Sequence, residues 1–84
     1  MNNAYIFATY DTVAGIYGSV VVDLNDNVAK RNFLFAVSQS AQLQYVSKDI
    51  ELQRIAEIDL HTGNIVPCVP HQVVARGSEA INDT

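Results

Sequence analysis

The strongest constraint on the fold lies in the second half of the chain, where the apolar period is two. Ile50, Leu52, Ala56, Ile58 and Leu60 fall on one face of an extended segment, and Glu51, Gln53, Glu57 and Asp59 fall on the other. Arg54 is the lone intruder on the apolar face. Successive side chains of a strand point to opposite sides, so this pattern predicts a strand with one dry face and one wet face. His61-Thr62-Gly63-Asn64 then supplies turn residues, and Ile65-Val66 begins a return strand, so residues 50 to 69 read as a β-hairpin. Pro67 and Pro70 cannot donate to a ladder, which places the return strand at a sheet edge or ends it early.

The first half supplies the remaining elements. AYIFATY, residues 4 to 10, is rich in the aromatic and β-branched residues that suit a pleated surface, and SVVVDL, residues 19 to 24, reads as a second strand. Between them Gly15 and Gly18 predict a loop that needs positive φ or close backbone approach. The three valines Val20, Val21 and Val22 imply burial on both faces or an interface. Asn25 or Asp26 caps a helix, because a short side-chain oxygen accepts free amide hydrogens of the first turn. Ala29, Phe33, Ala36 and Val37 form its apolar stripe, broadened by Leu34 and Phe35, and the pattern fades at residues 38 to 42. Residues 73 to 84 lose pattern and aromatics and read as a flexible C-terminal tail. The expected order is β-β-α-β-β in a single α+β domain over residues 1 to 72, one helix packed on a small antiparallel sheet.

Bulk properties narrow the function classes. A chain of 84 residues supports one modest core, and 49% hydrophobic with 17% charged residues is the composition of a folded domain. Nine acids against five bases give a net charge of −4, which argues against a nucleic-acid coat and allows weak, salt-sensitive binding at most unless a local patch overrides it. The single cysteine, Cys68, fits a reducing compartment, and no apolar run approaches the roughly 20 residues of a membrane span. A cytoplasmic protein with no membrane association is expected.

Several residues carry possible chemistry. Lys30 and Arg31, on the expected first turn of the helix, suit a phosphate, or form an ordinary solvated helix face. Tyr5, Phe7, Tyr10 and Tyr17 suit a base-stacking platform, although alternation splits Tyr5 and Phe7 from Tyr10, and core packing is the usual fate of such residues. Cys68 and His71, with His61, hold part of a zinc spacing but lack a fourth ligand, so no metal and no cofactor is expected. Glu57 and Asp59 share a strand face as solvated edge acids do, and no P-loop or dinucleotide glycine pattern is present. Catalysis is not expected.

Ordered fragments of the chain carry a resemblance. Tyr10-Asp11, the loop Val13-Ala14-Gly15-Ile16-Tyr17-Gly18, the helix start Asn25 to Phe33 and the hairpin Glu57 to Ile65 occur in an order and spacing similar to the small nonstructural protein of gokushoviruses. These are tailless single-stranded DNA phages of the Microviridae. The resemblance covers most of residues 5 to 66. It implies a protein of the host bacterial cytoplasm described as DNA-binding or as required for viral single-stranded DNA synthesis, and a related phage group uses a similarly small protein to turn replication towards genome synthesis and packaging. On this reading Lys30 and Arg31 meet phosphates and some of Tyr5, Phe7, Tyr10 and Tyr17 meet bases. The competing expectation is a protein-interaction module that docks on a viral or host replication protein, or a capsid precursor, without touching DNA. A homodimer through strand edges or the sheet face is expected under either, since Val20 to Val22 and Phe35 leave more apolar surface than one copy can hide.

Overall fold

The computed structural model describes residues 2–81. Strands β1 (Asn3–Asp11) and β2 (Ile16–Asp23) form a hairpin, helices α1 (Asp26–Gln39) and α2 (Ala41–Tyr45) follow, and β3 (Ile50–Asp59) and β4 (Ile65–Arg76) form a second hairpin. The strands pair antiparallel throughout, in the order β2-β1-β3-β4. The chain therefore has the expected β-β-α-β-β architecture, with α1 crossing one face of a four-stranded sheet.

Local chemistry accounts for the element boundaries. Asn25 caps α1, its Oδ1 accepting from the Val28 amide at 2.9 Å. Ser40 ends α1 with its own amide and opens the short α2 by accepting from the Leu43 amide, a break that the fading stripe located without revealing the second helix. Asp59 accepts from the amides of His61 and Thr62, and Gly63 takes φ +79°, which closes the β3–β4 turn. Gly15 likewise takes φ +72° in the first hairpin. Gly18, in contrast, is ordinary strand, and β2 begins at Ile16, earlier than expected. The left-handed residue there is Ser19, φ +50°, which sits between the residues paired with Ala8 and Thr9 as the extra residue of a bulge.

A second bulge changes the reading of β3. Phe7 pairs with Arg54 and Ile6 with Ala56, so Ile55 is an inserted residue and every side chain beyond it changes face. Ile50, Leu52 and Arg54 point towards α1, whereas Ala56 and Ile58 lie on the opposite, open face, not in line with Leu52 as the simple alternation predicts. Arg54 is no intruder. Its Nη1 donates to Asp26 Oδ2 at 2.8 Å across the sheet–helix gap, and its guanidinium lies 5.4 Å from the centre of the Tyr5 ring. Burial alone disfavours the Arg54 cation, and the neighbouring Asp26 carboxylate outweighs that cost and holds the group charged more firmly than usual. Both side chains keep some solvent, so replacing Asp26 with Ala is expected to cost about 1–2 kcal/mol, more than an exposed pair and less than a fully buried one. Urea unfolding of the single variant and of Asp26→Ala/Arg54→Met checks this: the double variant recovers part of the loss.

The core is small. Phe7, Ala29, Leu52 and Ala75 form its centre, with Tyr5, Phe33, Leu34 and Val74 packed against it. Its membership corrects the expected domain boundary at residue 72. Residues 73 to 76 continue β4, with Ala75 buried, and Gly77–Ala80 forms a 3-10 turn docked against the turn Ser47–Asp49. They belong to the folded domain rather than to a flexible tail; residues 82 to 84 lie outside the described residues. β4 is an edge strand, as its prolines imply, and its pairing with β3 shifts register between Pro67 and Gln72 opposite the Ile55 bulge. No helix among the described residues is long and apolar enough to cross a membrane.

Candidate nucleic-acid interface

The two cations do not form a helix-start anion site. α1 begins at Asp26, which puts Lys30 and Arg31 in its second turn, beyond the free amides, while the first turn carries the Asp26 carboxylate and the Asn25 cap. Lys30 Nζ lies 3.1 Å from Glu79 Oε1, tying α1 to the C-terminal turn. Arg31 is exposed, its Nε donating to Asn32 Oδ1 at 3.4 Å. With Arg54 paired to Asp26 and Arg76 to Glu51, only Arg31 and Lys48 carry no ion pair among the described residues.

The Glu79 carboxyl is held below the usual carboxylate range, first by the Arg76 backbone amide and then by Lys30, against the opposing effect of partial burial. A depressed folded-state value contributes stability that is fully present above the unfolded carboxylate range, near pH 4.3, and is lost as pH falls through the folded value. Glu79→Gln is expected to flatten that acid limb, as measured by thermal melts between pH 6 and 3. An unchanged limb would assign acid sensitivity to other carboxylates.

The aromatic candidates divide by face. Phe7 is fully buried under α1, so stacking on a base is closed to it. Tyr5 is half-buried on the same side, edge-on to Phe7 and covered by the Arg54 guanidinium. Tyr10 and Tyr17, paired across β1 and β2, occupy the open face, their ring centres 4.6 Å apart at 47°. Tyr17 is exposed and stands edge-on to the His71 ring at 5.7 Å.

A hydrogen-bonded band holds this aromatic pair. Tyr17 Oη donates to Gln53 Oε1 at 2.8 Å and lies 3.0 Å from His71 Nδ1. The roles close when His71 Nδ1 carries its ring hydrogen, which it can then donate to Tyr17 Oη and Gln53 Oε1. Gln53 Nε2 donates to Glu51 Oε2 at 2.7 Å, and Arg76 Nη1 donates to Glu51 Oε1 at 3.0 Å. Five residues from three strands thus fix Tyr17 rigidly on the open face. Glu51 and Gln53 resemble solvated strand residues in sequence, yet both are buried here because Tyr17, His71 and Arg76 converge on them from other strands.

Comparison with known families decides the protein's kinship. A family model described as phage ORF5 protein matches residues 4–80. The chain belongs to the phage ORF5 family. The match includes the residues expected as a tail up to the end of the C-terminal turn, in keeping with their place in the fold. No curated protein and no solved structure matches the chain.

The remaining sequence candidates of this phage ORF5 family protein are dispersed. Cys68 lies partly buried in β4 near Arg54, His61 lies in the β3–β4 turn, and His71 is engaged with Tyr17. Among the described residues no three His, Cys, Asp or Glu side chains converge as a metal site would require.

Proposed function

We propose that this phage ORF5 family protein is a non-enzymatic accessory protein of gokushovirus-like single-stranded DNA phages, acting in the host cytoplasm in synthesis or packaging of the viral strand, and that it contacts that strand directly. The observation that carries direct contact is the Tyr10–Tyr17 pair: an exposed Tyr17 ring beside a half-buried Tyr10 on the sheet face away from α1, with Tyr17 pre-ordered by Gln53 and His71. Bases of a single strand stack on such surfaces with little sequence preference, because every base has a π-face. Among the described residues Arg31 and Lys48 are the cations left for phosphates, so affinity comes mainly from stacking and is modest.

Tyr17→Ala is expected to weaken binding to a labelled single-stranded oligonucleotide by about 5- to 100-fold, the range for one lost stacking partner. Tyr17→Phe keeps the ring and should bind within a few-fold of the parent. Lys30→Ala, which breaks only the tie to Glu79, should leave affinity nearly unchanged in fluorescence anisotropy. A second reading is a module that docks on a replication or capsid protein without touching DNA. It is favoured by the net charge of −4 and by the commitment of three cations to internal ion pairs.

A further inference from the structure

The two edges of the sheet are not equivalent. β4 is poorly suited to pairing with another strand, because Pro67 and Pro70 lack amide hydrogens and its register with β3 is irregular between Pro67 and Gln72. β2 has no proline, and its one irregularity is the Ser19 bulge, which leaves Val20 to Asp23 as a regular stretch of edge. It runs from Ile16 to Asp23 without a lysine, and alternate residues point their N–H and C=O groups away from β1 into solvent. Val20, Val21 and Val22 are 62%, 44% and 52% exposed, so of the two expectations for these valines, burial on both faces or an interface, a single copy does not meet the first.

The surroundings of β2 continue the apolar surface. A cleft of about 400 Å³ opens between β2 and α1, walled by Val21, Phe33, Ala36 and Leu43. Phe35, 65% exposed, follows Asn32 of the cleft wall by three residues and so lies on the neighbouring flank of the helix.

We infer that β2 pairs antiparallel with β2 of a second copy, making one continuous eight-stranded sheet about a two-fold axis near Val21. An antiparallel pairing of identical strands is self-complementary, as a closed dimer requires. It brings both α1 helices to the same sheet face, where the two clefts and the two Phe35 rings adjoin. Ile16, Val20, Val21, Val22, Leu24 and Phe35 together expose on the order of 600 Å² per copy, comparable with the roughly 800 Å² that each partner of a standard interface contributes. Charge permits the pairing. Asp23 is the one charged residue of β2, and a ladder centred near Val21 sets it against the partner's Ser19 rather than against a second carboxylate.

This inference does not depend on the DNA reading. Light scattering at about 0.5 mM is expected to give twice the 9.2 kDa of one chain. Val20→Lys/Val22→Lys sets like charges opposite each other across the axis and should return the mass to one copy with an unchanged far-UV circular dichroism spectrum. Ile65→Lys/Val73→Lys, on exposed positions of β4, should leave the dimer intact. A one-copy mass for the parent protein overturns the proposal. So does a dimer lost in the β4 variant but retained in the β2 variant. If the β2 variant does not fold, hydrogen exchange on the parent protein decides: amides of residues 20 to 22 should exchange more slowly at 0.5 mM than at about 5 µM, and equal rates overturn the pairing.

Discussion

Phe7→Ala is expected to lower the melting temperature by about 15 °C or more, the largest effect of any single truncation in this chain. Phe7 is 0% exposed, and two of the three residues that complete its cluster are alanines, so its ring is the largest side chain fully buried between α1 and the sheet. Removing a buried phenylalanine costs about 3–5 kcal/mol, because the lost transfer free energy adds to that of a cavity the surroundings cannot fill. A domain of this size has a total stability of only about 4–13 kcal/mol. Ala29 and Ala75 are too short to collapse into the gap. Phe7→Leu, which keeps most of the volume, should cost about 1.5 kcal/mol or less. Scanning calorimetry of the two variants separates the effects, and a fall below 5 °C for Phe7→Ala would mean that the core is not built around this ring.

Gly77→Ala is expected to destabilise the fold by about 2–3 kcal/mol through overpacking, although it adds one methyl group. A Cβ at this position would fall inside the van der Waals envelope of the Ser47 carbonyl oxygen and lie 2.8 Å from Ile50 Cγ1. The first obstacle is backbone, so no side-chain rotation relieves it. The turn Gly77–Ala80 would have to lift from Ser47–Asp49, and the Lys30–Glu79 tie would weaken with it. Hydrogen exchange in residues 77 to 80 together with a urea midpoint measures this. A variant as stable as the parent, with unchanged exchange, would show that the C-terminal turn does not dock.

These two positions illustrate what the sequence makes legible. Phe7 is recognisable as apolar strand residue, but only the crossing of α1 decides whether its side of the sheet is core or platform. Gly77 lies thirty residues from Ser47, so nothing local to GSEA signals that the backbones meet. The features that could be read were those whose chemistry is local: the Asn25 cap, the Gly63 turn and the exclusion of Pro67 and Pro70 from an interior strand. The Ile55 bulge could not be read, because an inserted residue leaves the sequence pattern intact while reversing which face each later residue meets. The strand at residues 73 to 76 is inconspicuous in sequence for a related reason. An edge strand buries few residues, so it has little hydrophobic period to detect.

The same limits apply to the candidate interface. Six residues looked alike as aromatic or cationic candidates, and the fold disperses them: Phe7 to the core, Tyr5 beneath Arg54, Lys30 to Glu79, Arg31 to the helix surface, and Tyr10 with Tyr17 to the open face. What positions the last two is polar residues on β3 and β4, whose role depends on register and is invisible in sequence.

Titration of the parent protein into labelled single-stranded and double-stranded oligonucleotides of one sequence, at about 20 mM and 150 mM salt, tests direct DNA contact most directly. Binding to the single strand well above the duplex, with a logarithmic salt slope of about one to two, is expected where stacking dominates and two cations carry no ion pair among the described residues. No binding to the single strand by folded protein at the lower salt would contradict direct contact and leave a docking role on a replication or capsid protein.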